Sequence, residues 1–284
     1  MRTVRILALA AASALALAAC APVDEGTDAP SSSAAAEGTL DTLTDGVLTV
    51  GTSDPAYEPW VVGNDPSSGE GFEAAVAYAV AQQLGYDADQ VEWVPVTFDQ
   101  IIAPGAKSFD FAINQVSISP ERAENLDFSS SYYDTAQAVV TLEGSSVAGA
   151  TSLAELKDAK LGAMVGTTSL TTAQDTIAPS TDIQVFNDND QVKQALQAGL
   201  VDAIVVDLPT ALYITAAELD GGVLVGQLPA DDAAEADQLG LVLDKGSALT
   251  GPVTEAVDAL REDGTLDDLE SQWLTDAAGA PVLQ

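Results

Sequence analysis

"KLGAMVGTTSLTTAQDTI" (Lys160–Ile177) decides how many lobes this chain builds. Lys160 to Val165 is an apolar run of strand length, and Gly166 breaks it. Gly166-Thr167-Thr168-Ser169 is a polar loop, and Ser169 to Ile177 reads as a helix. The same order of strand, tight loop and helix already occurs earlier in the chain. The unit at Lys160 is therefore a restart.

Upstream, Val47–Val50 is a β-branched apolar strand. Gly71 to Leu84 places Phe72, Ala75, Val76, Ala79, Val80 and Leu84 at helical spacing, and Gly85 stops the helix. Val91–Val96 and Phe109–Val116 read as strands, Phe98–Gly105 as a short helix and Pro120–Asn125 as a helical turn. After the restart, Ile183–Phe186 and Ala203–Val206 read as strands, with helices at Asp190–Ala198 and Pro209–Glu218. Helices Thr250–Glu262 and Thr265–Leu274 close the chain. Strands separated by helices imply parallel sheets with crossovers. Two long extended runs, Ala136–Leu142 and Leu239–Leu243, connect the two sets. The expected fold is α/β with two lobes: 46–136 plus 244–284 form the first and 137–243 the second.

The N-terminus reads as a removable leader. Arg2 and Arg5 precede an uncharged apolar run, Ile6–Ala19, too short for a comfortable membrane span. It ends in Leu17-Ala18-Ala19-Cys20, which resembles a bacterial lipobox with Cys20 as the acylated residue. An ordinary signal peptide or an uncleaved anchor are the alternatives. Residues 1–20 are thus expected to be a lipoprotein signal. Residues 21–45, rich in Ala, Ser, Thr, Pro, Asp and Glu, are expected to be a disordered tether. Such a coil reaches roughly 25–30 Å, enough to hold a folded body clear of a membrane. One acyl chain binds only marginally, so firm anchoring needs more than one.

Composition excludes several chemistries. Nine Lys and Arg face 44 Asp and Glu, for a net charge of −35, and loss of Arg2 and Arg5 makes the chain more acidic still. Phosphate neutralisation needs clustered bases, so nucleic acid is not an expected partner. The surplus charge itself reads as a solvated surface kept soluble by repulsion. There is no histidine, which removes Ser-His-Asp and Cys-His pairs and His-based zinc sites. The single Cys permits no disulfide within the chain. Asn187-Asp188-Asn189-Asp190 lacks the Gly and distal Glu of an EF-hand loop and reads as a turn into a helix N-cap. No metal or other cofactor is expected.

Ligands of open α/β sheets bind beyond the carboxyl ends of the strands. Four predicted strands end in informative loops: Gly51–Trp60, Ser117–Arg122, Gly166–Ser169 and Asp207–Pro209. Ser119 is a good N-cap and Pro120 suits the first helical position, so that turn could present free N–H groups to an anion. Arg122 sits at its mouth, and a guanidinium can grip a carboxylate through two parallel bonds. The plainer reading is a surface Arg paired with Glu121 or Glu124. Ser117 and Ser119 share one face of the strand end. Thr168 belongs to a second loop entering a helix. Asp207 reads equally as a helix N-cap or as an acceptor for an ammonium group. A carboxylate clamp facing an ammonium clamp describes a free α-amino acid.

The stretches "GTSDPAYEPW", "GFEAAVAYAVAQQLG", "FDFAINQVSISPERAENLDFSSSYY", "LGAMVGTTSL", "ALQAGLVDAIVVD" and "LREDGTLDDLESQWL" occur in an order that resembles the family 3 solute-binding proteins of amino-acid ABC importers. The resemblance covers Val47 to Leu274. It implies the type II periplasmic-binding-protein fold, with two lobes, a two-strand hinge and closure around one solute. Carried over by position, Arg122 would hold the α-carboxylate with the Ser117 region, including Ser119, and the Thr168 amide. Asp207 would take the α-ammonium, Tyr57 and Phe98 would sandwich the solute, and Asp54 would lie near its side chain. Gln115 offers the pocket a polar contact without a settled role. The pattern departs from the family at Asn114-Gln115, Met164 and Glu73, all near the side-chain pocket.

The resemblance implies a monomeric, non-enzymatic protein, exported and lipid-anchored at the outer face of the cell membrane. It would hand an amino acid to an ABC permease with a cytoplasmic ATPase. Asp54 and Glu73 on the first lobe, with no added cation, favour a polar or cationic solute such as glutamine or arginine/lysine, because a buried acidic side chain would lack a partner. The alternatives are a cyclohexadienyl-dehydratase-like enzyme, with Glu73 or Glu58 as general acid, and a sensor feeding a membrane receptor.

Overall fold

A computed structural model of the chain describes residues 40–229, 237–275 and 279–284. The leader, Cys20 and residues 21–39 of the expected tether lie outside the described residues.

In chain order the elements are β1 (Leu48–Thr52), α1 (Phe72–Gln83), β2 (Val91–Pro95), α2 (Phe98–Ile102), β3 (Phe111–Ala112), α3 (Pro120–Ala123), β4 (Leu126–Thr135) and β5 (Gln137–Leu142). There follow β6 (Leu161–Met164), α4 (Thr168–Thr172), β7 (Gln184–Phe186), α5 (Asn189–Gln197), β8 (Ala203–Asp207), α6 (Leu208–Tyr213), β9 (Gly222–Gln227), β10 (Asp237–Asp244), α7 (Thr250–Glu262) and α8 (Thr265–Trp273). Ala173–Ile177 and Ile214–Glu218 extend α4 and α6 as π-helical turns.

The strands form two five-stranded sheets, β2-β1-β3-β10-β4 and β7-β6-β8-β5-β9. In each, three strands run parallel through crossovers, while the two extended runs supply the antiparallel strands. Alternation along each strand splits its residues between the two faces. In β8, Ala203 and Val205 enter the core shared with Leu156, Ile177 and Val225. Ile204 and Val206 enter the opposite core with Val192, Leu196 and Ile214. In β10, Leu239, Leu241 and Leu243 pack beneath α1, α7 and α8 with Trp60 and Phe72, whereas Val242 faces Phe98, Ile101 and Leu126. Strands covered on both faces read as continuous apolar runs, which is why they were recognisable.

The lobe boundaries need two corrections. The crossing at Ala136 lies between β4 in the first sheet and β5 in the second, but Asp237–Asp244 pairs along β4 and so belongs to the first lobe, not the second. The extended run at Leu239 looks like a connector in sequence, yet its Leu side chains find their core under α7. The C-terminal residues also depart from the expected first lobe. Val282 bridges to Gln227, and Leu283 is buried in the second lobe's core. β4 was not anticipated as a strand. Its Asp and Ser residues mask it, and two register shifts against β10 break its alternation.

The first turn of α1 has no side-chain cap. The carbonyl of Pro59 accepts from Phe72 N at 3.0 Å, and that of Trp60 accepts from Glu73 N at 2.9 Å. Gly71 permits this close docking. Its φ is +103°, and a Cβ there would sit 2.5 Å from the Trp60 carbonyl oxygen. Gly71→Ala is therefore expected to destabilise the protein by about 2–4 kcal/mol, combining backbone strain with a clash that only main-chain movement relieves. Equilibrium denaturation checks this; a change under about 0.5 kcal/mol would contradict it.

Candidate functional site

The carboxyl ends of β1, β3, β6 and β8 converge on one cavity of ≈ 210 Å³. Ser53 and Asp54 reach it from β1, Asn114 and Gln115 from β3, Met164 and Thr167 from β6, and Val206 and Asp207 from β8. Tyr57 and Phe98 supply aromatic wall, and the Asn187–Asn189 turn closes the side next to α5. Of the anticipated site residues, Asp54, Tyr57, Phe98, Gln115 and Asp207 line this cavity. Ser117, Ser119, Arg122 and Thr168 stand in the layer beside it.

That layer joins the lobes. Arg122 Nη1 donates to the Ser117 carbonyl of the first lobe at 2.6 Å, and Nη2 donates to the Gly166 carbonyl of the second at 2.9 Å. The guanidinium lies 5.6 Å from the centroid of the Phe98 ring. Ser117 Oγ and Thr168 Oγ1 are 3.0 Å apart, also across the lobes. Arg122 makes no ion pair among the described residues, so the reading of a surface arginine paired with Glu121 or Glu124 does not hold. The expected anion site at the Ser119–Pro120 turn is weaker than the sequence suggests. α3 has only four residues, and Ser119 Oγ already accepts from Arg122 N at 3.2 Å. The cation there is the guanidinium rather than a helix terminus.

Asp207 occupies the N-cap position of α6, but its carboxylate makes no capping bond. It accepts instead from Gln137 Nε2 at 2.8 Å, and the same amide donates to Asp237 at 2.6 Å. Ser169 Oγ donates to Gln137 Oε1 at 2.6 Å and fixes the orientation of the amide. Gln137 begins β5 and Asp237 begins β10, so the two hinge strands meet beside Asp207. Burial pushes the Asp207 carboxyl up to about 7, reinforced by the charges of Asp237 and Glu73. The Gln137 bond and Arg122 offset part of that rise. Burial likewise lowers the pKa of Arg122, while Asp237 and Asp207 resist that shift. A group pushed this way by a neighbouring charge gains from a ligand of opposite charge.

Further bonds between the lobes come from residues outside the anticipated binding set. Trp60 Nε1 donates to Thr210 Oγ1 at 2.9 Å in a buried position, and Tyr213 OH donates to Glu58 Oε2 at 2.8 Å. The lobes are thus in contact around the cavity. The far end of the cavity carries acceptors. Asp54 is held by Asn64 Nδ2 at 3.0 Å, and Asp188 caps α5 by accepting from Gln191 N at 2.7 Å, as its N-cap reading anticipated. The sequence reading missed Gln137, Asp237, Thr167, Ser169, Asn187 and Asn189 as site residues. Gln137 and Asp237 carry no motif and meet only because the hinge strands are adjacent.

Residues 48–276 match the bacterial extracellular solute-binding proteins, family 3. The chain belongs to that family. This family 3 protein is 30% identical over 231 residues to the L-cystine-binding protein TcyJ of Escherichia coli K12, covering 80% of this chain and 82% of that protein. It is 27% identical to an L-arginine-binding protein of Pseudomonas aeruginosa, covering 78% and 85%. Among solved structures it is similar to an ancestral arginine-binding protein bound to glutamine, with a TM-score of 0.68, 30% identity and 81% and 98% coverage. It is also similar to an ancestral amino acid-binding protein described as a precursor of cyclohexadienyl dehydratase, at TM-score 0.65, 29% identity and 81% and 96% coverage. The two sheets, the helices and these neighbours establish the type II periplasmic-binding fold that the sequence resemblance implied.

Proposed function

We propose that this solute-binding protein captures a free amino acid by lobe closure and delivers it to an ABC permease driven by a cytoplasmic ATPase. The supporting observation is a guanidinium and a carboxylate at one small cavity. Arg122 bridges Ser117 and Gly166 beside the cavity, and Asp207, which shares the Gln137 amide with Asp237, lines it. An α-carboxylate meets the remaining guanidinium donors and an α-ammonium meets Asp207. A solute held by both lobes stabilises only the closed state, so binding shifts the open–closed equilibrium.

The side-chain end favours a polar or cationic solute. Among the described residues, Asp54 and Asp188 line the cavity and no Lys or Arg does. An acidic side chain there would be desolvated without a partner. The names of the relatives, which include cystine, arginine and glutamine binders, fit this class. Leu40 packs on the first core and Leu43 N donates to Asp110 Oδ1 at 2.8 Å, so the expected tether is shortened at its C-terminal end. Anchoring through Cys20, with residues 21–39 as tether, 46–136 and 237–275 as the first lobe and 137–229 as the second, completes the proposal; Cys20→Ala should move the protein from the detergent phase to the aqueous phase.

A panel of the proteinogenic amino acids plus cystine, read by calorimetry, tests the proposal. Heat from glutamine, arginine, lysine or cystine is expected, and none from glutamate or aspartate. A dehydratase reading draws on one observation, the titratable Asp207 in the cavity. Glu73 is not available as its acid, being fully buried and bonded to Gln115 and Tyr132. Turnover of a dicarboxylic cyclohexadiene without amino-acid binding would replace the transport reading with the enzymatic one.

A further inference from the structure

We propose that Glu73 is a positioning residue for solute selectivity: its carboxylate holds Gln115 in a left-handed conformation at the cavity wall. The inference rests on the amino-acid reading above. Glu73 does not line the cavity and has no exposed surface. Its Oε1 accepts from the Gln115 main-chain N–H at 2.7 Å, and its Oε2 accepts from Gln115 Nε2. Tyr132 OH donates to Oε1 as a third partner. Both donors of one residue thus close on the two oxygens of one carboxylate.

Gln115 needs this restraint. Its φ is +47°, a region that residues with a Cβ seldom occupy. Such a conformation persists where the surroundings over-determine it. Gln115 lines the cavity together with Asn114, Asp54 and Asp207. Glu73 is itself fixed, since its own N–H is held by the Trp60 carbonyl in the docked first turn of α1. The link runs from the α1 docking site, through a buried carboxylate, to the cavity wall.

The substitution E73Q separates positioning from general support. An amide offers one acceptor oxygen where the carboxylate offers two, so its NH₂ must face a Gln115 donor. Either the Gln115 main-chain bond or the present orientation of its side-chain amide is lost. E73D keeps two acceptors on a shorter reach, Y132F removes only the third donor, and Q115A removes the positioned side chain. Calorimetric Kd values would be measured for arginine, glutamine, cystine and alanine, the last reporting head-group binding. E73Q is expected to change the ratio of the tightest ligand's Kd to that of alanine by about tenfold, and Q115A by a similar factor. Y132F should leave that ratio within about twofold, and adding E73Q to Q115A should change it little. A uniform weakening of all four ligands by E73Q, or an undiminished ratio change in the Q115A background, would overturn the positioning role. If E73Q does not fold, E73D carries the same comparison with the same criteria. Absence of wild-type binding to any of the four would instead count against the amino-acid reading itself.

Discussion

Arg122→Ala is expected to weaken binding of every amino acid by at least about 100-fold, because removing one partner of an enclosed, hydrogen-bonded charge pair costs about 2–5 kcal/mol. Two effects add. The α-carboxylate loses its forked donor, and it is left facing Asp207, Asp237 and the rest of a net −35 chain. The substitution also removes the bond to Ser117 at 2.6 Å and the bond to Gly166 at 2.9 Å, the second of which spans the lobes. Arg122→Lys keeps the charge but not the planar fork, so its affinity should fall between those of the wild type and the alanine variant. Circular dichroism should show both variants folded, since the guanidinium is half-buried at the lobe edge rather than in a core. Unchanged affinity in a folded Arg122→Ala variant would remove the carboxylate assignment. Loss confined to one amino acid would reassign Arg122 to the side-chain end.

Asp207→Asn should produce the second large effect, with a pH signature of its own. In the ligand-free protein the Asp207 carboxyl is pushed up to about 7. An arriving ammonium favours the ionised form, so binding below that value must release a proton. Affinity is therefore expected to fall as pH drops through about 7, approaching tenfold per pH unit. At pH 8, Asp207→Asn should cost about 100-fold in affinity and should lose most of the pH dependence. Calorimetry at pH 8, 7, 6 and 5 in buffers of different ionisation heat reads both effects. A wild-type affinity flat across that range would sink the ammonium assignment.

The same group predicts the sign of a stability change without ligand. The folded-state pKa is raised above the ordinary aspartate value, so the folded chain binds the proton more tightly than the unfolded chain between about 4 and 7. Ligand-free stability should consequently rise as pH is lowered from 8 to 6. Glu73, also pushed up to about 7 by burial despite its bonds to Tyr132 and Gln115, acts in the same direction. Asp207→Asn should diminish that rise while leaving the contribution of Glu73.

Much of the site was legible because its residues sit at strand ends. Apolar runs at Val47, Lys160 and Ala203 announce strands, and whatever follows them must face the cleft. That logic reached Asp54, Tyr57 and Asp207, each of which lines the cavity. It also reached Arg122, although the four-residue α3 contributes less than a long helix would. Gln115, which had no settled role in the sequence, now has two bonds to Glu73. Trp60 was visible as an aromatic in a loop, but its partner Thr210 is 150 residues away and no local pattern links them.

The sequence by itself determined what depends on neighbours along the chain. Hydrophobic period and turn residues set the α/β class and the restart at Lys160. The absence of histidine removed whole classes of catalysis, and the scarcity of cations drew attention to Arg122. Tertiary structure alone decided which segments share a surface. It moved Asp237–Asp244 into the first sheet, where the β10 leucines reach the core beneath α7. It sent the last residues back to the second lobe, and it brought Gln137 and Asp237 together behind Asp207. The reason is physical: a strand's period reports that a face is buried but not against what. A hydrogen-bond partner on another strand leaves no mark on the local sequence.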